Sequence, residues 1–201
     1  MIELDELERR LRSGLPEASE PPDLASAAAD AGLLDVAYAT LDSPVGSLLL
    51  AATPRGLVRV AYLDNQDPDA ALSDLARRVS PRVLAAPRKL DAPRRALDEY
   101  FAGHRDHFEL DLDWQLMTAF GRRVLEATAA IPYGSVSSYG EVAARAGSPR
   151  GSRAAGNALG ANPLPIVLPC HRVVHAGGGL GGYTGGVARK RTLLGIEGGE
   201  L

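Results

Sequence analysis

Between Val36 and Leu63 the chain reads "VAYATLDSPVGSLLLAATPRGLVRVAYL", three apolar, β-branched segments separated by two short runs of turn residues. No other stretch limits the fold as firmly. Ser43-Pro44-Val45-Gly46 and Pro54-Arg55-Gly56 place proline and glycine where a chain must reverse, so the three segments are expected as neighbouring antiparallel strands. A meander of this kind must cover a face. Two helical patterns follow to do so, "PDAALSDLARRVS" with Leu72, Leu75, Ala76 and Val79 on one side, and "PRRALDEYFAGHR" with Leu97, Tyr100 and Phe101. Residues 36–113 are therefore predicted to form a small antiparallel-sheet α+β domain. Residues 1–35 precede it as an extension, with an amphipathic start (Ile2, Leu4, Leu7, Leu11) and then the linker-like "LPEASEPPDLASAAADAG". No chemistry is assigned to them.

From Trp114 to Leu201 the pattern is helical. "TAFGRRVLEATAAIPYG" spaces Phe120, Val124 and Ala127 for one helix face and stops at Pro132. "SYGEVAARAG" begins at a capping serine, Ser138, with Glu141 three residues on, and ends at Gly147. After the turn "SPRG", a third helix, "SRAAGNALGANP", carries small residues on several faces and halts at Asn162-Pro163. A helix, a short turn and a helix that starts small and basic outline a helix-turn-helix. The expected class is thus α+β, with an N-terminal antiparallel-sheet domain and a helical C-terminal domain over 114–201.

Charge divides the chain in the same place. The net charge is −3, yet residues 114–201 hold nine basic and four acidic side chains, a net of +5, which leaves −8 for residues 1–113. Such asymmetry is expected where one half meets a polyanion; a solvated arginine face is the plainer alternative. No run of eighteen apolar residues is present, and the acidic N-terminus lacks the pattern of a signal peptide, so a cytoplasmic protein with no membrane partner is expected.

The single cysteine, Cys170, cannot form an intramolecular disulfide or supply a thiolate cluster for structural zinc, so no metal is expected. It is either inert packing or chemistry. A thiolate is a strong, soft nucleophile, but at its ordinary pKa only a few per cent is ionised near neutrality, and something must favour the anion. His171 is adjacent. In an extended chain neighbouring side chains face opposite ways, so contact between the two needs a bridging water or a bent backbone.

"IPYGSVSSYGEVAARAG", "RAAGNALGANPLPIVLPCHRVV" and "GGLGGYTGG" together resemble the O6-alkylguanine-DNA alkyltransferase family, closely over 114–197 and loosely over 36–113. The resemblance implies repair of O6-alkylguanine in double-stranded DNA by base flipping, with irreversible transfer of the alkyl group to Cys170, one molecule per lesion and no cofactor. It implies Cys170, His171 and Glu197 as thiol, water-linked base and orienter, and Tyr139 as a hydrogen-bond donor to the departing base. Arg153 is implied to enter the base stack, on a DNA-facing helix with Ala154, Gly156, Asn157 and Gly160. Asn162 is implied as a hinge to a strand-like segment carrying the cysteine. Val173, Tyr183, Thr184 and Lys190 are implied around the substrate pocket. The protein is expected to be a monomer, with cooperative assembly on DNA left open. Thr184 stands where serine is common in the family, and no zinc-binding cysteines are present in the N-terminal half.

Three other readings compete. An alkyltransferase-like lesion sensor would replace the cysteine, so Cys170 argues against it. A cysteine hydrolase would need a separate histidine converging on the thiol, and His104, His107 and His175 sit in no such sequence context. A regulatory DNA-binding domain would leave Cys170 without a purpose.

Overall fold

The computed structural model describes Ala25, Ala27, Ala28 and residues 31–65 and 67–198. The amphipathic pattern at Ile2–Leu11 lies outside these residues. Strands β1 (Val36–Leu41), β2 (Leu48–Thr53) and β3 (Gly56–Tyr62) form the expected meander, with Tyr38 opposite Ala51 and Leu50 opposite Val60. In the first turn Gly46 N–H donates to Ser43 O at 3.0 Å, and the Ser43 hydroxyl donates to Gly46 O at 2.6 Å. Gly46 has φ +98°, a conformation open to glycine because it lacks a Cβ. In the second turn a Cβ on Gly56 would lie 2.2 Å from Asp111 O, so the returning chain can approach only because that position is bare.

Beyond the expected antiparallel meander the sheet gains one short parallel strand. A three-residue strand, β4 (Val83–Ala85), pairs in parallel with β1 and makes the order β3-β2-β1-β4. Its length is too short to show an alternating pattern. Between β3 and β4 runs α1 (Pro68–Arg78), capped by the Asp67 side chain, which accepts from Asp69 N–H at 3.1 Å. The buried positions of α1 are Ala71 and Leu75, whereas Leu72, Ala76 and Val79 sit only half-buried at the margin of the expected stripe.

Side chains alternate across the sheet and divide the core in two. Leu49, Ala51, Val58 and Ala61 face α1, while Leu48, Leu50, Val60 and Tyr62 face the other way. There they join Leu97 and Tyr100 of α2 (Asp91–Phe101) and Val124, Val142, Leu164 and Val173 from the C-terminal half in one continuous core. The outer edge of β3 is paired as well. Leu57 exchanges backbone hydrogen bonds with Asp111 and Asp113, and Val60 N–H donates to Pro163 O at 2.8 Å. An exposed sheet edge is thereby covered, and the sheet is fixed against the loop that precedes Cys170.

In the C-terminal half, Thr118 caps α3 (Ala119–Ala129) by accepting from Gly121 N–H at 3.0 Å. Helix α4 (Tyr139–Arg145) starts with the full capping box of Ser138 and Glu141 and ends before Gly147, at φ +79°. The short turn then leads into α5 (Ser152–Gly160). Two-residue strands β5 (Ser137–Ser138) and β6 (Val173–Val174) pair in parallel and bind the start of α4 to the chain just after the cysteine. A last helix, α6 (Val187–Ile196), leads to Glu197. Sequence reasoning did not place it. Its buried residues are Lys190, Leu193 and Leu194, so a lysine breaks the apolar stripe by which such a helix is found. Among the described residues no helix is long and apolar enough to cross a membrane.

Candidate active site

Cys170 does not lie in an extended strand. It opens a single 3-10 turn, Cys170–Arg172, directly after Pro169. Three residues per turn send successive side chains about 120° apart, so Cys170 faces a cavity while His171 and Arg172 turn inward. The loop before the turn is almost wholly buried, and within it Ile166 has φ +75°, an unfavourable conformation for a β-branched residue. Asn162 holds this loop together. Its amide donates to Leu168 O at 2.8 Å and to Cys170 Sγ at 3.2 Å, and its carbonyl accepts from Leu164 N–H at 2.9 Å.

Burial pushes the Cys170 thiol up to about 11, against the Asn162 hydrogen bond and the nearby Lys190 charge, which favour the anion. The resting group is therefore a thiol, and its surroundings do not by themselves supply the anion. Ionising it at pH 7 costs on the order of 5 kcal/mol, so deprotonation must be coupled to a base or to substrate.

His171 supplies a candidate base. It is fully buried, and burial holds its pKa below the ordinary imidazole value, in favour of the neutral ring. Nε2 lies 2.7 Å from Glu197 Oε1, and among the described residues Nδ1 has no hydrogen-bond partner. With the carboxylate ionised, Nε2 carries the proton and Nδ1 keeps a lone pair for proton abstraction.

Glu197 is strongly held in its ionised form. Arg172 grips it through Nε to Oε2 at 2.9 Å and Nη2 to Oε1 at 3.0 Å, the Tyr100 hydroxyl donates to Oε1 at 2.7 Å, and Gly134 N–H donates to Oε2 at 3.3 Å. Despite the desolvation that opposes it, hydrogen bonds from His171 and Arg172 bring its pKa down to about 2. Arg172, Tyr100 and Gly134 are not among the site residues expected from the sequence, where Tyr100 figures only on the apolar face of a helix. Arg172 could have been, since an arginine two residues from a candidate nucleophile suits a carboxylate; Tyr100 and Gly134 carried no such signal.

The cavity in front of Cys170 has a volume of about 820 Å³. One side is helical, formed by Tyr139 of α4 and by Arg153, Gly156, Asn157 and Gly160 of α5. Arg153 and Asn157 are exposed at its mouth, whereas Ala154, also exposed on α5, is not part of the wall. The facing side is the glycine-rich loop with His175, Tyr183 and Thr184. The His175 and Tyr139 rings lie 5.3 Å apart. His175 is thus brought to the cavity, while His107 is exposed elsewhere and pairs with Asp106.

The structure does not bring Val173 and Lys190 to the cavity wall. Lys190 is fully buried behind it, donating to Val173 O at 2.5 Å and to Leu180 O. Burial brings its amine down to about 8. The Thr184 hydroxyl donates to Gly160 O at 3.1 Å, which links the loop to α5. Behind the loop the Tyr183 and Tyr62 hydroxyls lie 2.7 Å apart. Arg189 stacks 4.8 Å over the Tyr62 ring and donates to Val45 O, Gly185 O and Asp64, locking the loop to the N-terminal sheet. Among the described residues no group of three or more His, Cys, Asp or Glu could hold a metal ion.

Comparison with known proteins places this arrangement. The family model for the "6-O-methylguanine DNA methyltransferase, ribonuclease-like domain" matches residues 36–114, and that for the "6-O-methylguanine DNA methyltransferase, DNA binding domain" matches residues 119–199. The chain is 41% identical over 163 residues to the methylated-DNA–protein-cysteine methyltransferase of Mycolicibacterium paratuberculosis, covering 81% of this chain and 92% of the relative. It is 36% identical to the constitutive enzyme of that name from Bacillus subtilis, with 80% and 94% covered. Among solved structures, Mycobacterium tuberculosis OGT in complex with DNA superposes with a TM-score of 0.70 at 40% identity, over 81% of this chain and 93% of that one. With both halves matched and relatives aligned over nearly their whole length, the chain belongs to the 6-O-methylguanine DNA methyltransferase family.

Proposed function

We propose that the protein repairs O6-alkylguanine in double-stranded DNA by direct reversal, moving the alkyl group onto its own Cys170. The observation that carries this reading is a buried thiol at the wall of an open cavity of about 820 Å³, with a neutral His171 and an ionised Glu197 directly behind it. A buried thiol cannot reach a base inside a duplex, so the nucleotide is flipped out, with Arg153 at the cavity mouth taking its place in the stack. Helix α5 meets the minor groove, where base-edge information is poor and a lesion is accepted in any sequence context. In this role Gly156, Asn157 and Gly160 contact the flipped strand, and Ala154 the neighbouring backbone. Asn162 is the hinge between α5 and the cysteine loop.

Within the cavity, Cys170 loses its proton by way of a water to His171 Nδ1, and Glu197 stabilises the imidazolium. Sγ attacks the alkyl carbon, the bond from that carbon to O6 breaks, and the electron pair leaves on the guanine. Tyr139 donates a hydrogen bond to the guanine as its negative charge develops. Tyr183 walls the base, Thr184 offers its main-chain N–H towards O6, and Lys190 keeps the Val173 carbonyl in place. The product thioether has no path back, so each molecule acts once, as a monomer in the cytoplasm, where a free thiol survives. Cys170 speaks against a lesion sensor without transfer, and no other observation favours that alternative. Titration with excess O6-methylguanine duplex tests the reading: repair is expected to stop at one lesion per protein molecule, and continued turnover would overturn it.

A further inference from the structure

The network behind the thiol reaches across the sequence into the N-terminal half. Tyr100, on α2, is fully buried and donates its hydroxyl to Glu197 Oε1 at 2.7 Å, the oxygen that also faces His171 Nε2 at 2.7 Å and Arg172 Nη2 at 3.0 Å. Three donors thus share one carboxylate oxygen. The direction of the Tyr100 hydroxyl is fixed, because its ring is wedged among Phe101, Phe108 and Tyr133, with centroids at 5.4, 5.3 and 6.2 Å. We infer that Tyr100 is a positioning residue for alkyl transfer: through Glu197 it orients His171 and limits the base strength of that ring.

Tyr100 and His171 share the charge of one carboxylate oxygen. The groups that face His171 are Glu197, Arg172, Lys190 and Tyr183. Of these only Glu197 favours the imidazolium, while Arg172, Lys190 and burial oppose it. A hydroxyl donated to Oε1 draws negative charge away from the Nε2–H contact. Removing it leaves more of that charge on the bond to His171, so the ring takes up its proton at higher pH. Glu197 itself, near 2, remains ionised at working pH.

The test is Tyr100→Phe in the full chain, with the side chains of the four histidines isotopically labelled and His171 followed by NMR. The His171 titration is expected to move upward by about half a pH unit or more. The lower limb of the transfer rate against pH moves with it, and affinity for lesion-free duplex is unchanged. Tyr133→Phe is the control: it removes a hydroxyl from the same aromatic cluster, one that donates to Ile196 O rather than to Glu197, and is expected to leave the titration in place. Should Tyr100→Phe fail to fold, 3-fluorotyrosine at position 100 keeps the hydroxyl as a stronger donor and shifts His171 downward. Superimposable His171 titrations in wild type and variant overturn the inference. The rate component rests on the transferase reading, but the titration needs no substrate; failure of that reading would appear separately, as absence of transfer by the wild type.

Discussion

Replacing Glu197 with glutamine isolates what one buried carboxylate contributes. Glu197 is 4% exposed and accepts from His171, Arg172, Tyr100 and Gly134. Glutamine keeps the volume but presents an NH2 group where one carboxylate oxygen was, so an arginine donor meets another donor and the buried guanidinium loses its counter-charge. Breaking a buried pair from one side costs about 3–5 kcal/mol. The pH dependence gives a second, independent magnitude. The native pKa near 2 lies below the ordinary 4.5, so the unfolded chain binds the proton more readily than the native one. Stability from this group is therefore complete above about pH 5 and is lost as pH falls towards 2. The shift corresponds to roughly 3 kcal/mol in all, of which about 2 kcal/mol is gone by pH 3. Urea unfolding followed through the single tryptophan, Trp114, measures both quantities. Trp114 has Arg122 stacked at 4.9 Å, so its emission reports loss of the native contact. The expected result is a Glu197→Gln variant less stable than wild type by about 3 kcal/mol or more at pH 7, with the gap narrowing steadily below pH 5. A variant of wild-type stability, or a gap that does not change between pH 6 and 3, would show that the Glu197 charge does not hold this network together.

The thiol, the glycine-rich loop and helix α5 each respond to a defined perturbation. Because burial holds Cys170 up to about 11, the thiolate absorbance that distinguishes wild type from Cys170→Ser is expected only in alkaline solution; absorbance already present at pH 7 would contradict a protonated resting thiol. A Cβ on Gly185 would fall 2.6 Å from a Tyr62 ring carbon and 2.9 Å from one of Tyr183. Gly185→Ala is therefore expected to displace the cavity wall and slow transfer by about tenfold or more, with a loss of roughly 1–3 kcal/mol in urea unfolding. Arg153→Ala is expected to slow transfer from duplex DNA while sparing reaction with free O6-methylguanine base, which needs no flipping; equal losses on both would remove Arg153 from the flipping step.

How far the sequence could be read depended on whether its signals were local. The meander was legible because its turns require specific residues, and Gly46 and Gly56 stand where only glycine fits. The start of α4 was legible because a capping box is written in four consecutive residues, and the Asn162-Pro163 halt is equally local. Strand β4 and the β5–β6 pair were not legible, since two or three residues carry no periodicity and their pairing is decided by distant partners. Helix α6 was hidden because Lys190, a polar residue in composition, is buried for the sake of two carbonyls. At the site, Cys170, His171, Asn162 and the loop near Tyr183 lie close together in the sequence, so their grouping around one cavity was legible. Tyr100, 97 positions before Glu197, meets the network only because the second sheet face and α2 close over the C-terminal half. The resting state of the thiol was also beyond reach, because it follows from a burial that no neighbouring residue encodes.

Alkyl transfer onto Cys170 itself is tested most directly by intact mass and peptide mapping after incubation with a duplex carrying one O6-methylguanine, with Cys170→Ser in parallel. The expected result is a gain of one methyl group, about 14 Da, located on Cys170, with unmodified guanine restored in the DNA and no change in the serine variant. An unchanged mass with the lesion intact, or a methyl group on any other residue, would contradict it.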